Sequence, residues 1–135
     1  MNEIKYAVVC VDDDPYILQM LGFQLSKIVD QKFTLIEYYT DPKIALASIG
    51  ELIEDAIQII FLVVDYQMPQ MTGVEFIRSI KTRYPYLKCV MLSGEANKIS
   101  VEELIKDNLL ESFVGKPWDE EVLFDALRPI LAQHS

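Results

Sequence analysis

The chain holds a single histidine, His134, one residue from its C-terminus. A Ser/His/Asp triad or a histidine-based metal set is not expected from it. Cysteine is nearly as scarce. Cys10 and Cys89 each lie in an apolar run with no second Cys or His nearby, so they read as reduced core thiols. Basic residues are few: 12 Lys and Arg face 21 Asp and Glu, a net charge of -9. Such a chain repels phosphate backbones and anionic lipid, which argues against direct nucleic-acid or membrane binding. Long apolar runs are missing. Ile59 to Val64, six residues, is as long as any, against the roughly 20 that a membrane-spanning helix needs. Residues 1–11 place Lys5 in a short apolar stretch and offer no small-residue cleavage site, so no signal peptide is expected and the cytoplasm is the expected compartment.

What is present is the balance of a packed globular protein. In 135 residues, 51% are hydrophobic and 24% charged, which predicts one domain spanning 1–135 with a sizeable core. Apolar runs rich in β-branched residues recur at Ile4 to Val11, Phe33 to Tyr39, Ile57 to Val64, Leu87 to Leu92 and Ser112 to Gly115. Between them, apolar residues fall at helical spacing: Ile17, Leu21, Leu25, Ile28; Ala45, Ile49, Ile53, Ala56; Val74, Ile77, Ile80; Val101, Leu104, Ile105; and Val122, Leu123, Ala126, Leu127. The pattern is a fivefold β-α alternation.

Helix starts are marked locally. Asp14-Pro15 and Asp41-Pro42 each pair a capping carboxylate with a proline suited to the first helical position. Thr72 with Glu75 and Ser100 with Glu103 have capping-box spacing. Pro129 removes a backbone donor within the last periodic segment, so a kink or an early end is expected there. The unbroken run IIFLVV suits a strand covered on both faces, and parallel neighbours require crossover helices. A doubly wound, five-stranded α/β sheet with five helices follows.

In such sheets the ligand site lies at the carboxyl ends of the strands. That rule selects Asp12, Asp13 and Asp14 after the first strand, Asp65 at the third, Ser93-Gly94 at the fourth and Lys116-Pro117 at the fifth. Asp14 is assigned to the helix cap because Pro15 follows it. Two carboxylates about 5 Å apart repel by roughly 3 kcal/mol at an effective dielectric near 20, so Asp12, Asp13 and Asp65 call for protonation or a cation. Mg²⁺ fits best, since it takes a few carboxylates and leaves positions for phosphoryl oxygens. Phosphate chemistry is the implication.

The stretches VDDDP, DYQMPQMTG from Asp65 to Gly73, SGE at the fourth strand and FVGKPW at the fifth, taken together and in this order, resemble the receiver domain of two-component response regulators over essentially the whole chain. The resemblance implies a flavodoxin-like sheet of order 2-1-3-4-5, the order of a chemotaxis member of that family. It implies that Asp65 attacks a phosphohistidine on a histidine kinase or histidine phosphotransfer protein and becomes an acyl phosphate. Asp13 would be a direct Mg²⁺ ligand, Asp12 a water-mediated one, and the Gln67 backbone carbonyl a third protein contribution. Lys116 would bind phosphoryl oxygens and Ser93 would turn toward the new group, with the Lys116-Pro117 peptide cis. Gln67 and Glu95 would flank the phosphoryl site and modulate access of water.

Phe113 falls where the family usually carries a switch aromatic, often Tyr, and here it lacks the hydroxyl. Its inward position should therefore cost less, so it should be partly populated before phosphorylation. Trp118 reads as a rim aromatic over the last helix or as a partner anchor. The implied role is signalling by self-catalysed phosphotransfer and autodephosphorylation, not catalysis on a separate substrate. An output protein or domain, and a phosphorylation-dependent homodimer, are the implied responders. Two other readings use similar parts. A haloacid-dehalogenase-type phosphohydrolase also has an Asp nucleophile and Mg²⁺, but its DxDx[TV] motif is broken here by Pro15-Tyr16. An FMN carrier needs a neutral phosphate loop after the first strand, which VDDDP would oppose.

Overall fold

The computed structural model describes residues 3–94 and 98–134. Five strands alternate with five helices: β1 (Tyr6–Val11), α1 (Pro15–Leu25), β2 (Thr34–Tyr39), α2 (Pro42–Glu54), β3 (Gln58–Asp65), α3 (Gly73–Arg83), β4 (Cys89–Ser93), α4 (Lys98–Lys106), β5 (Ser112–Gly115) and α5 (Glu120–His134). All neighbouring strands pair in parallel, in the order β2-β1-β3-β4-β5. The expected doubly wound sheet is therefore present. No described helix is long and apolar enough to cross a membrane.

Two apolar layers hold the sheet. Side chains of α2, α3 and α4, among them Ile49, Phe76, Ile77 and Leu104, cover one face. Leu21 and Leu25 of α1 and Leu123, Phe124 and Leu127 of α5 cover the other. β3 explains its continuous apolar run, since Leu62 and Val64 point to the first layer and Phe61 and Val63 to the second. Its register with β1 shifts after Ala7, from Ile59 to Phe61, and Ile60 is the extra residue.

Cys10 and Cys89 lie in opposite layers, fully buried. Burial pushes both thiols up to about 12. Since the thiolate is the reactive form, neither cysteine is expected to react with an aromatic disulfide reagent in the native protein. Both should react once the chain is denatured, and absorbance of the released thiol measures this.

The caps at Asp14, Asp41 and Thr72 form as the sequence predicts. Asp14 accepts from Tyr16 N–H and Asp41 from Lys43 N–H, while Thr72 and Glu75 complete a reciprocal capping box. Three expectations are corrected. Ser100 does not cap α4, because the helix already begins at Lys98 and Ser100 lies inside it. Ala56 does not continue α2. It adopts φ 60 and ends the helix, with Ile57 N–H bonded to the Leu52 carbonyl at 3.0 Å. Of the kink or early end expected at Pro129, the early end is absent, since α5 runs on to His134. Pro129 sits on the solvent side with Asp125, whose carbonyl loses its helical partner there, while buried Leu127 and Ile130 keep the helix on the sheet.

Candidate functional site

Register brings the predicted residues together. Val11 pairs with Val64, so Asp12, the next residue, lies beside Asp65 at the end of β3. Asp65 pairs with Leu92, one before Ser93, and Ser93 pairs with Gly115, one before Lys116. Four strand ends thus deliver two carboxylates, a hydroxyl and an ammonium to one edge of the sheet. Asp13 joins them: carboxylate oxygens of Asp12, Asp13 and Asp65 all lie within 4.8 Å of one another.

Their environments differ. Asp12 is fully buried, Asp65 is 5% exposed and Asp13 faces solvent. The Lys116 ammonium stands 2.8 Å from an Asp65 oxygen and 3.1 Å from one of Asp12. The other Asp12 oxygen accepts from the Asp14 N–H at 2.9 Å. Burial pushes the Asp12 carboxyl up to about 6, helped by the Asp65 charge and opposed by the Asp14 N–H and Lys116. Asp65 is raised too, mainly by burial, with Lys116 and the Gln67 N–H working against it and Asp13 adding to it. For Lys116, burial disfavours the ammonium, but Asp65 and Asp12 outweigh it and the net shift is upward. Three carboxylates against one ammonium leave an excess of negative charge among hard oxygen donors, which suits a Mg²⁺-like ion.

The raised Asp12 carboxyl has a pH consequence. In the unfolded chain it titrates near 3.8 and in the folded chain near 6. The stability it contributes is complete below the lower value and is lost as pH rises through the upper one. Without divalent cations, the wild type is expected to lose stability between those two values through this group. Asp12→Asn should flatten that loss, as measured by urea midpoints across the range in EDTA.

Ser93 is 3% exposed, and its hydroxyl donates to the Gly94 carbonyl at 3.0 Å instead of to Asp65. It lines a cavity of about 320 Å³ together with Gly94, Val101, Phe113, Gly115, Lys116 and Pro117. Phe113 is 41% exposed, so its ring is at the rim. The Lys116-Pro117 peptide is cis. The loop after Asp65 folds back tightly: Gly73 N–H donates to the Tyr66 carbonyl at 2.7 Å, and a Cβ on Gly73 would collide with the Asp65 carbonyl. Glu95 lies outside the described residues.

Two contacts were missed in the reading of the sequence. Tyr66 reaches Ser100 in α4, hydroxyl to hydroxyl, at 3.4 Å. The Trp118 indole N–H donates to the Gln24 side-chain oxygen at 2.9 Å, across 94 positions of chain. Gln24 occupies a core-facing position of α1 where spacing alone would place an aliphatic residue, and that misfit was the available signal.

The family model for the response regulator receiver domain matches residues 8–128. The chain belongs to this family. Among curated relatives, this receiver domain is 33% identical over 116 residues to the protein-glutamate methylesterase/protein-glutamine glutaminase of Syntrophotalea carbinolica, covering 84% of this chain and 30% of that one. It is 25% identical over 131 residues to the response regulator protein TmoT of Ectopseudomonas mendocina, covering 97% and 55%. The solved structure of Vibrio cholerae chemotaxis protein CheY4 superposes with a TM-score of 0.77 at 25% identity, covering 93% of this chain and 98% of that one. The receiver spans only 24%, 30% and 27% of the length of three curated relatives it matches.

Proposed function

We propose that residues 1–135 form one receiver domain in which Asp65 is the phosphoacceptor, taking its phosphoryl group from a histidine kinase or histidine phosphotransfer protein. The observation that carries this reading is the buried Asp65 carboxylate, 2.8 Å from Lys116 within a cluster of three acids at the strand ends. In the transfer, an Asp65 oxygen forms a bond to phosphorus as the phosphorus–nitrogen bond of the phosphohistidine breaks. The departing imidazole keeps the electron pair and takes a proton from solvent. Lys116 then pairs with a phosphoryl oxygen, and Ser93 exchanges its Gly94 carbonyl for another.

Asp13 and Asp65, the Gln67 backbone carbonyl, and Asp12 through water would hold Mg²⁺, which when bound neutralises charge building on the phosphoryl oxygens. Gln67 and Glu95 would modulate the access of water to the acyl phosphate. As Ser93 moves, Phe113 enters the cavity that Ser93 lines, and α4, β5 and α5 present a changed surface to an output partner or a second copy. The chain acts on no separate substrate and makes no direct contact with nucleic acid or membrane, and its setting is the cytoplasm.

The test uses a small acyl phosphate donor with Mg²⁺. The intact mass should rise by one phosphoryl group, and an unchanged mass would remove the phosphoacceptor reading.

A further inference from the structure

A glutamine on the core side of a helix needs a reason. Gln24 is 9% exposed and lies among Leu18, Leu21 and Leu25, all buried against the sheet. An amide costs free energy there unless its polar atoms are bonded, and an aliphatic side chain would carry no such cost. Its oxygen accepts from the Trp118 indole N–H at 2.9 Å. Among the described residues, that is the one side-chain hydrogen bond made by residues 117–119, the segment between Lys116 and α5. On the strand side, Lys116 is fixed by its own N–H to the Ser93 carbonyl at 2.9 Å. The segment carrying Lys116 is therefore tied at one end to β4 and at the other, through Trp118, to α1.

We propose that Gln24 and Trp118 are positioning residues for Lys116: the buried amide of α1 holds the indole two residues beyond Lys116 and so sets where the ammonium meets a phosphoryl group on Asp65. The inference rests on Asp65 as phosphoacceptor. Orientation of a charged donor is costly to lose, because a small displacement of the ammonium weakens a charge-assisted hydrogen bond made only once the phosphoryl group is present. Lys116 is not itself a ligand of the ion, and an ammonium moved away from Asp65 and Asp12 competes less with Mg²⁺, so the change should weaken the phosphoryl mimic without weakening Mg²⁺. The pair thus predicts separate behaviour of two ligands at one site, which a purely structural tie between α1 and α5 does not.

The experiment compares wild type, Gln24→Met and Trp118→Phe. Methionine keeps the length and unbranched shape of glutamine without an acceptor, and phenylalanine keeps an aromatic ring without the N–H. Beryllofluoride, as phosphoryl mimic, is titrated in saturating Mg²⁺ by fluorine NMR, and Mg²⁺ is titrated alone. Both variants are expected to bind beryllofluoride tenfold or more weakly, with Mg²⁺ affinity not weakened beyond twofold. Gln24→Met should retain the urea midpoint, while Trp118→Phe, which leaves the buried Gln24 oxygen without its donor, should lower it modestly. In Gln24→Met the indole N–H resonance, the only one since the chain has one tryptophan, should shift and exchange faster with water.

Beryllofluoride affinity within twofold of wild type in both variants would overturn the proposal. So would a parallel fall of both affinities with a lowered urea midpoint, which marks a structural tie only. Failure of wild type itself to bind beryllofluoride with Mg²⁺ would overturn the Asp65 reading instead, and the positioning role with it.

Discussion

Asp65→Asn is expected to abolish phosphoryl incorporation from a small donor, a loss of at least about a hundredfold in rate. An amide oxygen is a poor nucleophile toward phosphorus and carries no charge for Lys116 to hold. The same substitution removes one of three clustered carboxylates. Without divalent cations it should therefore raise the urea midpoint, since burial and the Asp13 charge already work against the ionised Asp65. The two results together separate a lost nucleophile from a damaged fold. Intact-mass analysis reads the first and urea denaturation the second. Incorporation persisting in Asp65→Asn would move the acceptor to another residue.

Asp13→Ala is expected to weaken Mg²⁺ binding tenfold or more, because few protein ligands share the ion and each carries a large part of the affinity. Asp13 faces solvent, but its charge works against the ionised Asp65, so its removal should raise cation-free stability modestly. In the wild type, Mg²⁺ at a hundred times its dissociation constant should add about 2.7 kcal/mol to stability through mass action. That increment should be reduced in Asp13→Ala at the same Mg²⁺ concentration. Calorimetric Mg²⁺ titration measures the affinity, and thermal unfolding with and without EDTA measures the increment. A variant that titrates like wild type would place the ion away from Asp13.

Signals that act over a few residues were legible in the amino-acid sequence. Asp14, Asp41 and Thr72 start helices as their spacing to Pro15, Pro42 and Glu75 indicates, because a cap is satisfied by backbone donors two or three residues on. The alternation of β-branched runs with helical spacing is equally local and was sufficient for the class of fold. Such signals fail where the same pattern fits two local structures. Ser100 and Glu103 have capping spacing but sit within α4, since that spacing also occurs inside helices and only the start at Lys98 decides between them.

The candidate site divides along the same line. Its residue types, and their places after successive strands, could be read directly, because the turn after each parallel strand falls on one edge of the sheet. Tertiary structure decided how the equivalent-looking acids differ: Asp12 is buried against Lys116 while Asp13, its neighbour in sequence, faces solvent. It also made Gln24, which the helical spacing did not single out, the partner of Trp118. Composition and periodicity report which side chains favour burial, one helix turn or strand at a time. Which polar atoms meet across 94 or 104 positions of chain depends on strand register and on how α1 and α5 lie against the sheet, and those are set only when the two apolar layers close.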